Sequence, residues 1–296
     1  MYGTTVKDSD VDIRGVFIPS SEYFFGFLNH VEQIEESNND VVYFDIRKFF
    51  KLALDCNPNI VELLFVPREM SVTWTEEWEE IINNRDLFLS RKARYTFSGY
   101  AVSQLHRIKQ HRNWLLNPPK KQPCRTDFGL PEDRKLVTKD QLNAFDELTN
   151  TFNYELIEDF ELDANALYAL QQEKAFQNAN KEWNQYENWK NTRNPARAEL
   201  EAKYGFDTKH GMHLFRLLQE GMELLMFGNI ILPRPNAQEL IDIRNGRYSY
   251  DELIISLGDV DKRFDFYYEH SKLPNSPNRN EADKLCIKLV KQYLGI

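Results

Sequence analysis

The chain has 296 residues, 37 Lys and Arg against 46 Asp and Glu, a formal charge of −9, and 13 % aromatic residues. That length supports a sizeable core and about two domains, and the aromatic content excludes a disordered or fibrous chain. No stretch nears the roughly 18 consecutive apolar residues of a membrane span, and the acidic opening lacks a signal-peptide core. Cys56, Cys124 and Cys286 are too scattered for a zinc motif or disulfide framework, which points to a reducing cytoplasm.

Val11 to Ile18 alternates, with Val11, Ile13 and Gly15 on one side and Asp10, Asp12 and Arg14 on the other, which predicts a strand with one polar face. The β-branched and aromatic run Val41 to Ile46, after turn-forming Asn38-Asn39-Asp40, predicts a second strand. Phe49, Phe50, Leu52, Ala53 and Leu54 then shift to the period of a buried helix, which Asn57-Pro58 ends. Ile60 to Phe65 is a short apolar element closed by Pro67. Beyond Ser71 the pattern is helical. Thr75 reads as an N-cap ahead of Glu76 and Glu77, and a long amphipathic helix runs from Phe97 to Leu116 up to Asn117-Pro118-Pro119. Residues 120–135 read as a charged loop, and Gln141 to about Trp189 as polar helix with weak apolar periodicity. Lys209 to Phe227 has a strong 3.6-residue period ended by Gly228, and helices over 236–245, 249–268 and 278–294 follow. The predicted class is α+β: a small mixed sheet with helices over 1–95, then a mainly helical domain over 96–296 in which 120–205 forms an insertion or peripheral lobe.

On a strand, positions i and i+2 share a face, so Asp10 and Asp12 present two carboxylates roughly 6–7 Å apart. Such a pair repels itself unless a cation lies between, and Mg²⁺ or Mn²⁺ accepts carboxylate oxygens while leaving positions for phosphate and water. Asp45, within the second strand run, has the chemistry to join them, and three such acids are what two-metal nucleotidyl transfer requires. The alternative is a solvated turn in an acidic protein.

Tyr2-Gly3-Thr4-Thr5 followed by Asp8-Ser9-Asp10-Val11-Asp12-Ile13-Arg14-Gly15-Val16 resembles the YGT…SDxDxRGV signature of predicted nucleotidyltransferases of the DNA polymerase beta superfamily. The similar group is the one linked to RNA repair and also found in phages. Further blocks follow in order: Arg47-Lys48-Phe49, Asn57-Pro58-Asn59-Ile60-Val61-Glu62-Leu63-Leu64, Gly99-Tyr100-Ala101, Lys209-His210 with His213-Leu214 and Arg216-Leu217-Leu218, Pro233-Arg234-Pro235, and Tyr250-Asp251-Glu252-Leu253. They span nearly the whole chain apart from about 120–205. The resemblance implies a nucleotidyltransferase-type sheet, Asp10 and Asp12 as metal ligands with Asp45 as third acid, an NTP substrate and an RNA or tRNA end as acceptor. Members usually carry a Gly-Ser pair on a short helix just before the YGT run. This sequence opens at Met1-Tyr2-Gly3, so the expectation is that the true start lies upstream or that the element is lost, with Gly3 and Thr4 supplying donors instead.

Between Ala101 and Arg125 stand Arg107, Lys109, Arg112, Lys120, Lys121 and Arg125 with no acid, which reads either as a phosphate-attracting patch or as a solvated helix face and loop. Lys209, His213, Arg216 and Glu220 form one polar stripe on an apolar helix. Facing a cleft, Lys209 and Arg216 hold triphosphate and His213 adjoins them; facing the core, the stripe is an ion-pair network. A metal pair of His210 and His213 lacks a neighbouring Cys or acid in this reading. The expected function is metal-dependent transfer of an NMP from an NTP to a hydroxyl acceptor with release of pyrophosphate, in the cytoplasm (of the host, if phage-encoded). The alternative is a non-catalytic nucleotide- or RNA-binding protein on the same fold.

Overall fold

The computed structural model describes residues 1–5, 12–28, 30–36, 41–151 and 163–296. Strands β1 (Ile13–Phe17), β2 (Gln33–Glu36) and β3 (Val41–Asp45) form one sheet in the order β1-β3-β2, with the short helix α1 (Ser21–Phe25) following β1. β3 lies in the middle, parallel to β1 and antiparallel to β2, so the sheet is mixed. Ile13 pairs with Val41 and Phe17 with Asp45, which fixes the two ends of the parallel pair.

From β3 the chain passes directly into α2 (Ile46–Leu54), whose Ile46, Phe49, Phe50, Ala53 and Leu54 are buried. Next come α3 (Pro58–Val61), capped by Asn57, and a 3₁₀ turn over Glu62–Phe65. In α4 (Glu76–Asn83) the Thr75 hydroxyl accepts from the Trp78 N–H at 3.2 Å, the cap its sequence predicts. Then come α5 (Ala93–Leu116), α6 (Lys139–Thr151), α7 (Ala164–Thr192), α8 (Pro195–Tyr204) and α9 (Thr208–Phe227). Gly228 ends α9 in the left-handed region at φ 63, its N–H donating to the Leu224 carbonyl at 2.8 Å. α10 (Ala237–Arg244), α11 (Tyr250–Leu257), α12 (Val260–His270) and α13 (Arg279–Leu294) complete the chain. The fold is α+β, as the sequence predicts. The helix predicted over 249–268 is two helices. Gly258 breaks it at φ 56 and ψ −147, which L residues avoid, and Asp259 caps the next helix by accepting from the Lys262 N–H at 3.0 Å.

The chain divides into two compact units, Met1–Gln110 with Leu200–Ile296, and His111–Glu199. In the first, α9 is buried on most of its circumference and packs on α10 and α12. Gly221 allows this: a Cβ there would lie 2.7 Å from the Phe97 Cβ and 2.8 Å from the Phe264 ring. Phe49, Phe88, Phe97, Phe206 and Phe264 are fully buried in this core. The second unit has a small core of Val137, Leu142 and Ala169 and an aromatic cluster of Trp114, Tyr186 and Trp189. Arg125 there forms a bidentate pair with buried Glu173, which also accepts from the Leu136 N–H at 3.0 Å. Among the described residues no helix is long and apolar enough to cross a membrane, and the three cysteines are free thiols.

Candidate functional site

Asp12 immediately precedes β1, and its side chain is 67 % exposed. Among the described residues its contact is Arg14, whose Nη2 lies 3.4 Å from Oδ1. An exposed pair at that separation is weak and screened by salt, so the carboxylate is available to another partner. Asp10 lies outside the described residues.

Asp45 stands elsewhere. It pairs with Phe17 at the far end of β1 from Asp12, a run of about 16 Å at about 3.3 Å per residue. Its carboxylate is buried and its hydrogen-bonding capacity is largely used. Oδ1 accepts from the Arg47 N–H at 2.7 Å and from Nε at 3.0 Å, and Oδ2 accepts from Nη2 at 2.7 Å. Asp45 is thus the last residue of β3 and the N-cap of α2 at once. Arg47 in turn lies over the Phe24 ring at 4.1 Å. The structure does not bring Asp45 to Asp12.

On α9, Lys209 and His213 are half-buried, whereas Arg216 and Glu220 are buried. Arg216 Nη1 lies 2.6 Å from Glu62 Oε2 and 3.3 Å from both oxygens of Glu220, and its guanidinium sits 3.8 Å from the centre of the Tyr2 ring. The Tyr2 hydroxyl donates to Glu62 Oε1 at 2.5 Å. Burial pulls the Arg216 pKa down, but Glu62 and Glu220 more than offset it and leave it raised. Burial also pushes Glu220 up, to about 8, against the pull of Arg216, and with Glu62 it holds the Tyr2 phenol well above its usual range. Arg216 is therefore part of the core-facing ion-pair network, the second of the two readings open for this stripe. Arg234 is likewise buried against Glu223.

The run Tyr2-Gly3-Thr4 is fixed to the same region. The Tyr2 carbonyl accepts from the Arg234 N–H at 3.1 Å, and Gly3 adopts φ 76, where a Cβ would lie 3.2 Å from that of Ala237. One residue that sequence reasoning passed over is Asp207. It caps α9 by accepting from the Lys209 N–H at 2.9 Å and the His210 N–H at 3.1 Å, and its second oxygen lies 2.9 Å from His210 Nδ1. The acid three residues before His210 was the available signal; the carboxylate orients the ring. Of the basic run, Arg107 and Lys109 are exposed, whereas Lys121 pairs with Asp127 and Arg125 with Glu173.

A mixed three-stranded sheet with an acid immediately before its first strand, followed in the chain by helices, defines an α+β protein. Residues 1–117 match the model of RlaP, the RNA repair pathway DNA polymerase beta family, and the resemblance read from the sequence holds over that region. A protein of Enterobacteria phage T4, described as an uncharacterized 38.9 kDa protein in the nrdC-mobD intergenic region, is 28 % identical over 116 residues. The match covers 35 % of this chain and 34 % of the phage protein, so the chain spans about a third of that relative's length. No solved structure matches.

Proposed function

We propose that the chain is a metal-dependent nucleotidyltransferase that moves an NMP from an NTP to a hydroxyl acceptor, an RNA or tRNA end, in the cytoplasm of a cell or of a phage-infected host. The observation that carries this reading is the exposed Asp12 carboxylate heading β1 within the matched region. Asp10 and Asp12 are hard oxygen donors suited to Mg²⁺ or Mn²⁺. When bound, such an ion neutralises charge on the phosphates. The acceptor oxygen forms the new bond to the α-phosphorus as the bond to the leaving pyrophosphate breaks in line. Gly3 and Thr4 offer a backbone N–H and a hydroxyl to the phosphates, and Lys209 and His213 add donors from α9. Arg216 serves from beneath, through Tyr2. Asp45 caps the other end of β3 and so does not supply a third acid beside Asp12.

The test is pyrophosphate release from each NTP with Mg²⁺. Asp12→Asn is expected to lower it by about 10²–10³-fold, the scale for losing a group that stabilises transition-state charge, at an unchanged melting temperature. Retained turnover in this variant overturns the proposal. A second reading, a non-catalytic nucleotide- or RNA-binding protein, is favoured by the neutralisation of Asp45 by Arg47. It predicts heat of NTP binding in a titration calorimeter with no pyrophosphate formed.

A further inference from the structure

The buried group around Arg216 joins three parts of the chain that are distant in sequence: Tyr2 from the opening run, Glu62 from the 3₁₀ turn after α3, and Arg216 with Glu220 from α9. Its connections close on themselves. Glu62 accepts from the Tyr2 hydroxyl with one oxygen and from Arg216 with the other, while the Tyr2 ring covers the guanidinium at 3.8 Å. The opening run has two further anchors, the Tyr2 carbonyl on the Arg234 N–H at 3.1 Å and Gly3 against Pro233 and Ala237. Ring, hydroxyl, carbonyl and the left-handed turn all hold the same two residues, Tyr2 and Gly3.

We propose that Tyr2, Glu62, Arg216 and Glu220 form a positioning lock that docks the Tyr2–Thr5 run, which precedes β1 in the chain, onto α9. Its consequence for catalysis rests on the nucleotidyltransferase reading of the protein; the lock itself does not. The group contains two carboxylates to one guanidinium, because Arg234 is engaged by Glu223. With Glu220 protonated, Glu62 and Arg216 neutralise each other. Once Glu220 ionises, a second buried negative charge faces Glu62, with Tyr2 above and Arg216 and Arg234 as the nearby cations. The lock therefore loosens in alkali.

Hydrogen–deuterium exchange of the whole chain, corrected for intrinsic rates, reads the lock without any turnover. Tyr2→Leu is expected to raise exchange in peptides covering residues 1–5 by about tenfold or more, as a local opening does, with α2 and α13 unchanged. Tyr2→Phe, which keeps the ring and loses the hydroxyl, gives a smaller rise. In the wild type, exchange of the same peptides rises between pH 7 and about 9, and Glu220→Gln removes that rise. A purely space-filling role for Glu220 would leave the pH profile in place. Exchange at residues 1–5 indifferent to Tyr2→Leu, or a pH profile that persists in Glu220→Gln, overturns the lock. Asp12→Asn serves as the separate arm: lost turnover with normal exchange at residues 1–5 keeps the two questions apart.

Discussion

Asp45 illustrates how one carboxylate is committed by its neighbours. It accepts from the backbone N–H and the guanidinium of Arg47 while buried at the junction of β3 and α2. Asp45→Ala removes the cap, worth about 1 kcal/mol, and strands a guanidinium whose charge-assisted bonds contribute about 1–2 kcal/mol more. Urea denaturation should show that sum as a lower midpoint at unchanged slope. Asp45→Asn keeps an acceptor for the Arg47 N–H and should retain more than half of it. Turnover per folded molecule separates this role from a catalytic one, since a cap residue leaves it unchanged. The spacing of residues 41–46 could not distinguish these roles. Alternation marks Asp45 as a strand residue whether the strand continues or hands over to a helix, and the informative pattern is the Asp-x-Arg step into a helical period. Asp207 went unread because an acid ahead of a helical period carries no sign of a second role, and only the fold turns its other oxygen to His210.

At the level of elements, α9 carries the strongest demand for shape. Gly221 faces Phe97 and Phe264 at distances that leave no room for a methyl group, and the nearest atom is the Cβ of Phe97, which no rotamer change can move. Gly221→Ala gains about 1 kcal/mol of helix propensity but overpacks the crossing, which costs about 1–3 kcal/mol and more where the backbone must shift. The expected net is destabilisation, measurable by thermal melting; a raised melting temperature would show that the helices separate easily. This helix was legible in the sequence because its apolar period is long and Gly228 closes it, and β1, β3, α2 and α4 were legible through alternation, a change of period and the Thr75 cap. β2, α1 and α8 were not. Gln33-Ile34-Glu35-Glu36 is an edge strand with little buried surface, so the ladder to β3 defines it rather than any apolar pattern. The join of α11 and α12 was missed because apolar residues continue across Gly258, and only its dihedral angles break the helix.

Over the whole molecule, the dependence of stability on pH follows from which acids are held charged and which are held neutral. Asp55, paired with Lys92 and Arg279, and Glu173, paired with Arg125, are held below the usual carboxylate range, so their contribution is present above the unfolded pKa and fades as pH falls through the folded one. Glu220 acts in the opposite sense. Its folded pKa, near 8, lies above its unfolded value, so the folded protein binds the extra proton through the interval between them. Its contribution is complete below the unfolded pKa and declines as pH rises, by at most about 1.4 kcal/mol per pH unit, until it levels off above the folded value. Glu220→Gln has no such proton to lose. The variant should lie close to the wild type at pH 5, where it only exchanges one neutral acceptor for another, and should be the more stable of the two by about pH 9. General self-repulsion in a chain of charge −9 also grows in alkali, but it acts on both proteins and is screened by salt. Denaturant midpoints of the pair at several pH values, repeated in high salt, isolate the buried group: a difference that opens as pH rises and persists in salt assigns the effect to Glu220, and parallel curves would show that Glu220 does not carry it.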